Sequence, residues 1–317
     1  MNYQHFIITF FNLKIWIKDK AKQQTDTDEW LEDRFRLFET YCLPSVKAQT
    51  CQEFVWLCLF DECTSLHFRN RIAEYKKSVP QLHDCYFTEE QAGQYYDADE
   101  HTRCRFIRDE VRKLLDASTE YVITTNLDND DAINNHMVEW MKKEIEGNNS
   151  TPMVYRFIKG IQYFSAPNIA LRMNYPHNHF LSLVENAKGD FHTVVFYQHA
   201  RAHRILPYTD INKKAAWMEV VHHRNVINDL RVTSRISYLP FLRSCILDEF
   251  GFPITLSLGN NIRKILFWLP PYLCKIIVWR LTKKVKKKIQ KNRDDLYEVQ
   301  RQHMMATSQE QLKKGGI

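Results

Sequence analysis

Tyr121-Val122-Ile123-Thr124-Thr125-Asn126-Leu127-Asp128-Asn129-Asp130-Asp131-Ala132 carries a β-branched apolar run straight into three nearly adjacent carboxylates. The run has the composition of a buried strand. Carboxylates this close raise one another's pKa unless a cation or a cluster of hydrogen-bond donors sits among them. Magnesium and manganese suit such hard oxygen ligands and complete their shells with water and phosphate oxygens. The stretch therefore predicts a metal and diphosphate site at the carboxyl end of a strand, with Asp128 and Asp130 as ligands.

A second reading of the same acids stands beside it. Asp130 and Asp131 would suit the start of a helix from Ile133 to Ile145, where they would complement its dipole. That explains two acids and leaves Asp128, at the strand's exit, without a part. A calcium loop is excluded: Ala132 and Ile133 stand where it needs an oxygen ligand and a glycine.

Outward from this stretch, strand-like and helix-like runs alternate, which is the pattern of an α/β domain. Phe6 to Phe11 reads as a first strand, and Trp30 to Tyr41 as a helix with Leu31, Phe35 and Phe38 on one face. Phe54 to Phe60 reads as a second buried strand with Asp61 at its carboxyl end, where ligands of open α/β sheets gather. Helices are expected at His67 to Lys77 and Arg103 to Asp116, around a short strand at Asp84 to Phe87. After Gly147-Asn148-Asn149-Ser150 come shorter β-type pieces: Met153 to Ile158, Ile161 to Phe164 and Thr193 to Tyr197.

The chain of 317 residues has 44% hydrophobic and 26% charged residues, an ordinary globular balance. Its net charge of +6 is concentrated in the last sixty or so residues, so nucleic acid is not an expected partner. The eight cysteines include no CxxC pair and read as reduced core thiols of a cytoplasmic protein. Met1 leads almost directly into the first apolar run, with no signal-peptide pattern.

In order along the chain, these motifs resemble those of a known family. His5-Phe6-Ile7-Ile8-Thr9 with Asn12-Leu13, then Trp30-Leu31, Arg34, Phe38-Glu39, Tyr41-Cys42-Leu43-Pro44-Ser45-Val46 and Phe54-Val55-Trp56-Leu57 with Asp61 precede the acidic core Leu127 to Ala132. Asn178, Phe180, Ser182-Leu183-Val184-Glu185, Trp217, His222 and Asn225 follow it. The pattern is similar to that of the bacterial putative rhamnosyltransferases, over roughly residues 5 to 225. The resemblance implies a GT-A-like nucleotide-sugar-binding fold with a mostly parallel central sheet. It also implies transfer of a sugar, rhamnose by the family's name, from a nucleotide-sugar donor, with manganese or magnesium on Asp128-Asn129-Asp130. Thr9, Asn12, Asp61 and Asp128 would then meet the donor. The acceptor would be a glycan or a lipid-linked saccharide of surface polysaccharide synthesis. Phe10 and Asn126 depart from the pattern, standing where arginine is expected beside the site. A carbohydrate-binding protein on a degenerate scaffold of the same fold is the alternative.

Chemistry assigns the remaining candidates. An inverting transfer needs one general base, and Glu185 after its apolar run is the first choice, against a solvated acid at an element's end. Asp61 could accept from a nucleobase or ribose, or cap the next turn. His222 or His199 could complete the metal site, or be an ordinary hydrogen-bonded histidine. A nucleotidyltransferase is disfavoured because no glycine-rich loop lies between Thr9 and Trp30.

The division expected is a catalytic domain over residues 1–245 and a helical, amphipathic, basic segment over 246–317. Pro270-Pro271 and Lys275 break the apolar run Ile265 to Trp279, too short to span a bilayer. Leu273, Ile277, Leu281, Val285 and Ile289 recur at helical spacing among lysines, which suits peripheral contact with the anionic inner face of the cytoplasmic membrane. A helix packed on the catalytic domain is the other reading.

Overall fold

The computed structural model describes residues 2–15, 25, 27–96, 99, 102–146, 151–166, 168–222, 236–240, 248–253, 274 and 278. Strand β1 (Tyr3–Phe10) is followed by α1 (Asp28–Leu37), where Thr27 caps the helix by accepting from the Trp30 amide at 3.2 Å. The helix passes through a wide turn at Phe38–Cys42 into α2 (Leu43–Lys47), with Pro44 in its first turn rather than ending it. Then come β2 (Val55–Asp61), α3 (Leu66–Ser78), β3 (Leu82–Phe87), α4 (Glu89–Gly93), α5 (Arg105–Lys113) and β4 (Tyr121–Asn126).

A two-residue strand β5 (Ala132–Ile133) precedes α6 (Met137–Glu146), and β6 (Met153–Phe157), β7 (Lys159–Phe164), β8 (Ile169–Asn174) and β9 (Leu181–Asn186) follow. The described elements end with α7 (Ala202–Ile205), β10 (Tyr208–Ile211), β11 (Trp217–Val221) and β12 (Ile236–Pro240).

Seven strands form the main sheet in the order β10-β6-β9-β4-β1-β2-β3. It is mostly parallel; β9 alone runs against its two neighbours. The expected α/β layout is thus present. Apolar cores cover both faces, which is why the strands read as continuous apolar runs. Ile7, Trp56 and Ile123 pack with Phe35, Ile72 and Met141 on one side, and Phe6, Leu57 and Val122 with Ile107, Val111 and Val195 on the other. From β1 the chain winds outward through β2 and β3 and then returns to β4 on β1's other side. That reversal opens a crevice at the carboxyl ends of β1 and β4, where the acidic stretch emerges. A second sheet, β12-β8-β7-β11-β5, buries Ile161, Met218 and Val220.

Several expectations are corrected. The helix expected from Ile133 starts at Met137, because Ala132 and Ile133 pair with Met218 and Trp217. The strand expected at Thr193 to Tyr197 is a 3-10 turn over Val194–Phe196, because side chains take the amides a ladder would use. Thr124 Oγ1 accepts from Val194 N at 2.8 Å, and Glu185 accepts from Thr193 N at 2.9 Å. Residues 248–253 belong to the body, with Phe250 and Phe252 buried in it, so the packed chain continues past residue 245. The basic amphipathic run beyond Gly259 lies outside the described residues, apart from Cys274 and Val278. No helix among the described residues is long and apolar enough to cross a membrane. No described cysteine is paired; Cys42, Cys58, Cys85 and Cys104 are buried.

Candidate active site

The acid loop is pinned to the end of β1. Leu127 N donates to Ile8 O at 3.0 Å, extending the β1–β4 ladder by one bond, and Asn129 Nδ2 donates to Phe11 O at 3.0 Å. Asp131 N then closes a turn on Asp128 O at 3.2 Å. Asp130 leaves this turn toward one set of partners, Asp128 and Asp131 toward another.

Asp130 is only 5% exposed and lies between two donors. Arg34 Nη1 reaches its Oδ2 at 2.7 Å, and His222 Nε2 lies 2.8 Å from the same oxygen. Burial alone would raise the Asp130 pKa, but the Arg34 guanidinium and His222 outweigh it and hold the carboxyl ionised, well below the usual range. Arg34 comes from the buried face of α1, with its guanidinium 4.9 Å from the Trp30 ring centroid and a second contact to Asn129 Oδ1 at 3.4 Å.

Asp131 is fully buried and does not cap a helix. Its Oδ1 accepts from Val220 N of β11 at 2.7 Å and its Oδ2 lies 2.6 Å from His179 Nε2. His179 Nε2 is also 3.6 Å from Asp128 Oδ2. Burial would lower the His179 pKa, yet Asp128 and Asp131 overcome it and hold the imidazolium up to about 9.

Ligand atoms of Asp128, Asp131 and His179 fall within 4.8 Å of one another. Asp128 keeps a 43% exposed side chain, so the cluster is open on that side. Two carboxylate oxygens, one imidazole nitrogen and an open edge fit manganese or magnesium, which would require the imidazole in its neutral form. The cluster that could hold a cation thus differs from the one expected from sequence. Asp128 is common to both; Asp130 and His222 are brought together but engage each other and Arg34, while Asp131 and His179 take their places beside Asp128.

Asn12 and Asp61 stand at the same sheet edge, cross-linking the loops after β1 and β2. Asn12 accepts from Asp61 N at 3.2 Å and donates to Thr64 Oγ1 at 3.0 Å, and Asp61 Oδ1 accepts from Cys63 N at 2.8 Å in a local turn. Thr9 is fully buried, and its hydroxyl accepts from the Trp56 indole at 2.9 Å, so it faces the core and not a ligand.

Glu185 is a correction as well. It pairs with Val122, four residues before the end of β4, which puts it roughly 13 Å down the sheet from the level of Asn126. Both its oxygens accept backbone amides, from His192 at 3.0 Å and Thr193 at 2.9 Å. Burial raises its pKa to about 7 in spite of those two bonds.

The two positions without arginine have other work. Phe10 packs edge-on against Tyr95, with centroids 5.3 Å apart. Asn126 Nδ2 gives Asp128 Oδ1 a neutral donor at 3.3 Å and also reaches His179 O at 3.2 Å. His199 lies near the cluster, its ring 6.0 Å from that of His179. Arg34 and His179 were not assigned roles from sequence. A charged residue inside the apolar stripe Trp30-Leu31-Phe35 was the available signal for Arg34.

A family model described as "Putative rhamnosyl transferase" matches residues 17–234. Among solved structures the chain is similar to S. aureus TarS 1-349, at 11% identity over 69% of this chain and 60% of that one, with a TM-score of 0.38. It is also similar to mouse xyloside xylosyltransferase 1, at 8% identity over 66% and 85%, with a TM-score of 0.32. A third is a protein described as a "putative nucleotide-diphospho-sugar transferase" from Desulfovibrio desulfuricans G20, at 7% identity over 67% and 81%, with a TM-score of 0.31. The chain thus spans about three fifths of the TarS fragment. No curated protein matches. Asn12, Asp61 and the acid loop stand at one edge of the sheet, and the family match spans residues 17–234, more than half of the chain: the chain belongs to the putative rhamnosyl transferase family.

Proposed function

We propose that the protein is a metal-dependent glycosyltransferase that moves a sugar, rhamnose by the family's description, from a nucleotide-sugar donor to a glycan or lipid-linked acceptor of surface polysaccharide synthesis. The observation that carries this reading is the convergence of Asp128, Asp131 and His179 at the switch point of the sheet, open on the Asp128 side. A divalent cation held there would neutralise the departing diphosphate. Arg34 and His222 fix Asp130, Asn129 ties the loop to β1, and Asp128 is thereby held at the mouth without rearrangement. Asn12 and Asp61, on the β1–β2 side, would meet the nucleoside. In this reading Glu185 takes no part in proton transfer, because it lies at the far end of the sheet with both oxygens engaged.

The test is protection against thermal unfolding by nucleoside diphosphates and nucleotide sugars, each with and without manganese. A ligand that binds only the folded state raises its apparent stability. Wild type should respond to at least one nucleotide only when manganese is present, and Asp128→Asn should lose that response while its unliganded melting temperature stays near wild type. An equal response in the variant, or none in wild type, sinks the proposal. Phe10 and Asn126 favour a second reading, a binding protein without turnover. Release of free nucleoside diphosphate from a bound nucleotide sugar would exclude it.

A further inference from the structure

Arg156 sits near the carboxyl end of β6 and is 4% exposed, yet one of its guanidinium nitrogens goes without a hydrogen bond among the described residues. Nε donates to Asp210 Oδ1 at 2.6 Å, whereas Nη1 is buried with no partner among the described residues. A guanidinium carries five donors in a planar fork, and an unspent buried donor is costly. His203 Nδ1, in α7, is a second buried nitrogen with no hydrogen-bond partner among the described residues. Both residues pack against Tyr208, whose ring centroid is 3.9 Å from the Arg156 guanidinium carbon and 6.0 Å from the His203 ring. Tyr208 is itself 47% exposed and its ring lies over the guanidinium.

Register explains the grouping. Asp210 pairs with Arg156 and Tyr208 with Val154, so the period of two puts all four side chains on one face. Charge there is positive on balance. Burial, then His177, Arg156 and Arg204, push the His203 pKa down to about 4, with Asp210 alone among its neighbours pulling the other way.

This patch lies beside the acid cluster. Arg156 pairs with Leu181 of β9, whose neighbour Ser182 pairs with Thr125 of β4, so Arg156 is level with Asn126 two strands away, about 10 Å. His199, three residues before α7, reaches back toward His179. On the other side of the cluster, Asn12 and Asp61 occupy the β1–β2 edge.

We propose that Arg156 and His203, beneath Tyr208, form an anion subsite that receives a phosphate or carboxylate group of the acceptor, on the opposite side of the acid cluster from the nucleoside. The inference rests on the glycosyltransferase reading and narrows the acceptor to an anionic saccharide or a phosphate-linked one. A planar guanidinium held through Nε by Asp210, with Nη1 unspent, is preorganised for such a group.

The experiment uses the full chain and follows thermal unfolding in a chelator, so that no divalent metal carries anions to the acid cluster. Inorganic phosphate and glycerol phosphate are titrated as one arm and glucuronate as the other, which separates a phosphate source from a carboxylate one. Wild type should show saturable stabilisation by at least one arm. The double variant Arg156→Gln with Asp210→Asn, which leaves no unpaired acid, should bind that anion roughly ten- to a hundredfold more weakly, the effect of losing charge-assisted hydrogen bonds. His203→Asn, at a partly exposed position, should weaken it in the same direction and serves if the double variant does not fold. Both variants should keep the manganese-dependent nucleotide response of wild type. Affinities within twofold of wild type, or no saturable response to either arm in wild type, overturn the subsite. Absence of the nucleotide response in wild type and variants alike would instead count against the glycosyltransferase reading.

Discussion

At the residue scale, the site depends on how each buried charge is matched. Asp130 is ionised at 5% exposure because Arg34 and His222 reach one of its oxygens. Removing one partner of a buried ion pair typically costs about 3–5 kcal/mol, since the other charge is left uncompensated. Arg34→Met should lose stability of that order in urea unfolding, and adding Asp130→Asn should recover most of it. A loss below about 1 kcal/mol would mean the pair is not matched in this way. Glu185 gives the opposite kind of prediction. Burial raises its folded pKa from 4.5 to about 7, so the folded state keeps a proton the unfolded chain gives up. Its contribution is full below pH 4.5 and is lost as pH rises through 7, on the order of 3 kcal/mol. Glu185→Gln should flatten that limb of the stability profile, at a constant cost because one amide oxygen now faces two backbone donors, and should leave manganese-dependent nucleotide binding intact. Loss of nucleotide binding in a folded variant would return Glu185 to the site.

At the element scale, β11 is what delivers the second half of the site: Val220 N bonds Asp131, and His222 follows the strand's last residue. Its place is set by Trp217, which stacks on Phe180 at 5.2 Å and donates from Nε1 to Phe157 O at 2.7 Å. The indole lies flat on Gly160 of the paired strand β7, where a Cβ would run into the ring. Gly160→Ala should therefore force Trp217 aside, costing roughly 1–3 kcal/mol by overpacking, with weaker nucleotide binding than Asp128 or His179 geometry alone would suggest. Unchanged melting and unchanged nucleotide affinity would show that β11 has slack at this point. The four strands up to β4 and the helices α1, α3 and α5 were legible because each follows a single apolar period, and Thr27 caps α1; the short α2 and α4 were not read as helices. The short β5 was not legible: Ala132 and Ile133 satisfy a helical pattern equally well, and only pairing with Trp217 and Met218 makes them a strand.

For the whole molecule, the two cores flanking the sheet put titrating groups under opposing demands. His5 is buried against Thr125 Oγ1 at 2.8 Å, and Thr125 bonds Ser182 at 2.7 Å, a polar chain crossing β1, β4 and β9. Burial lowers the His5 pKa from 6.5 to about 3, so the unfolded chain binds a proton the folded one refuses. Stability from His5 is present above pH 6.5 and is lost as pH falls toward 3, whereas that from Glu185 is lost as pH rises from 4.5 to 7. Urea unfolding across pH should give a plateau between about 4.5 and 6.5 from these two groups, and His5→Asn should reduce the acid limb; an unaltered acid limb would place the cause in other groups. By itself the sequence determined the α/β class, the order of the first four strands and the acid stretch at the end of the fourth, since apolar period and residue type act within a few neighbouring residues. Which acid meets which partner was decided only by tertiary structure. Asp131 takes Val220 and His179, Asp130 takes Arg34 and His222, and Glu185 is carried to the far end of the sheet, because strand register and direction convert sequence neighbours into positions set by pairing across the chain.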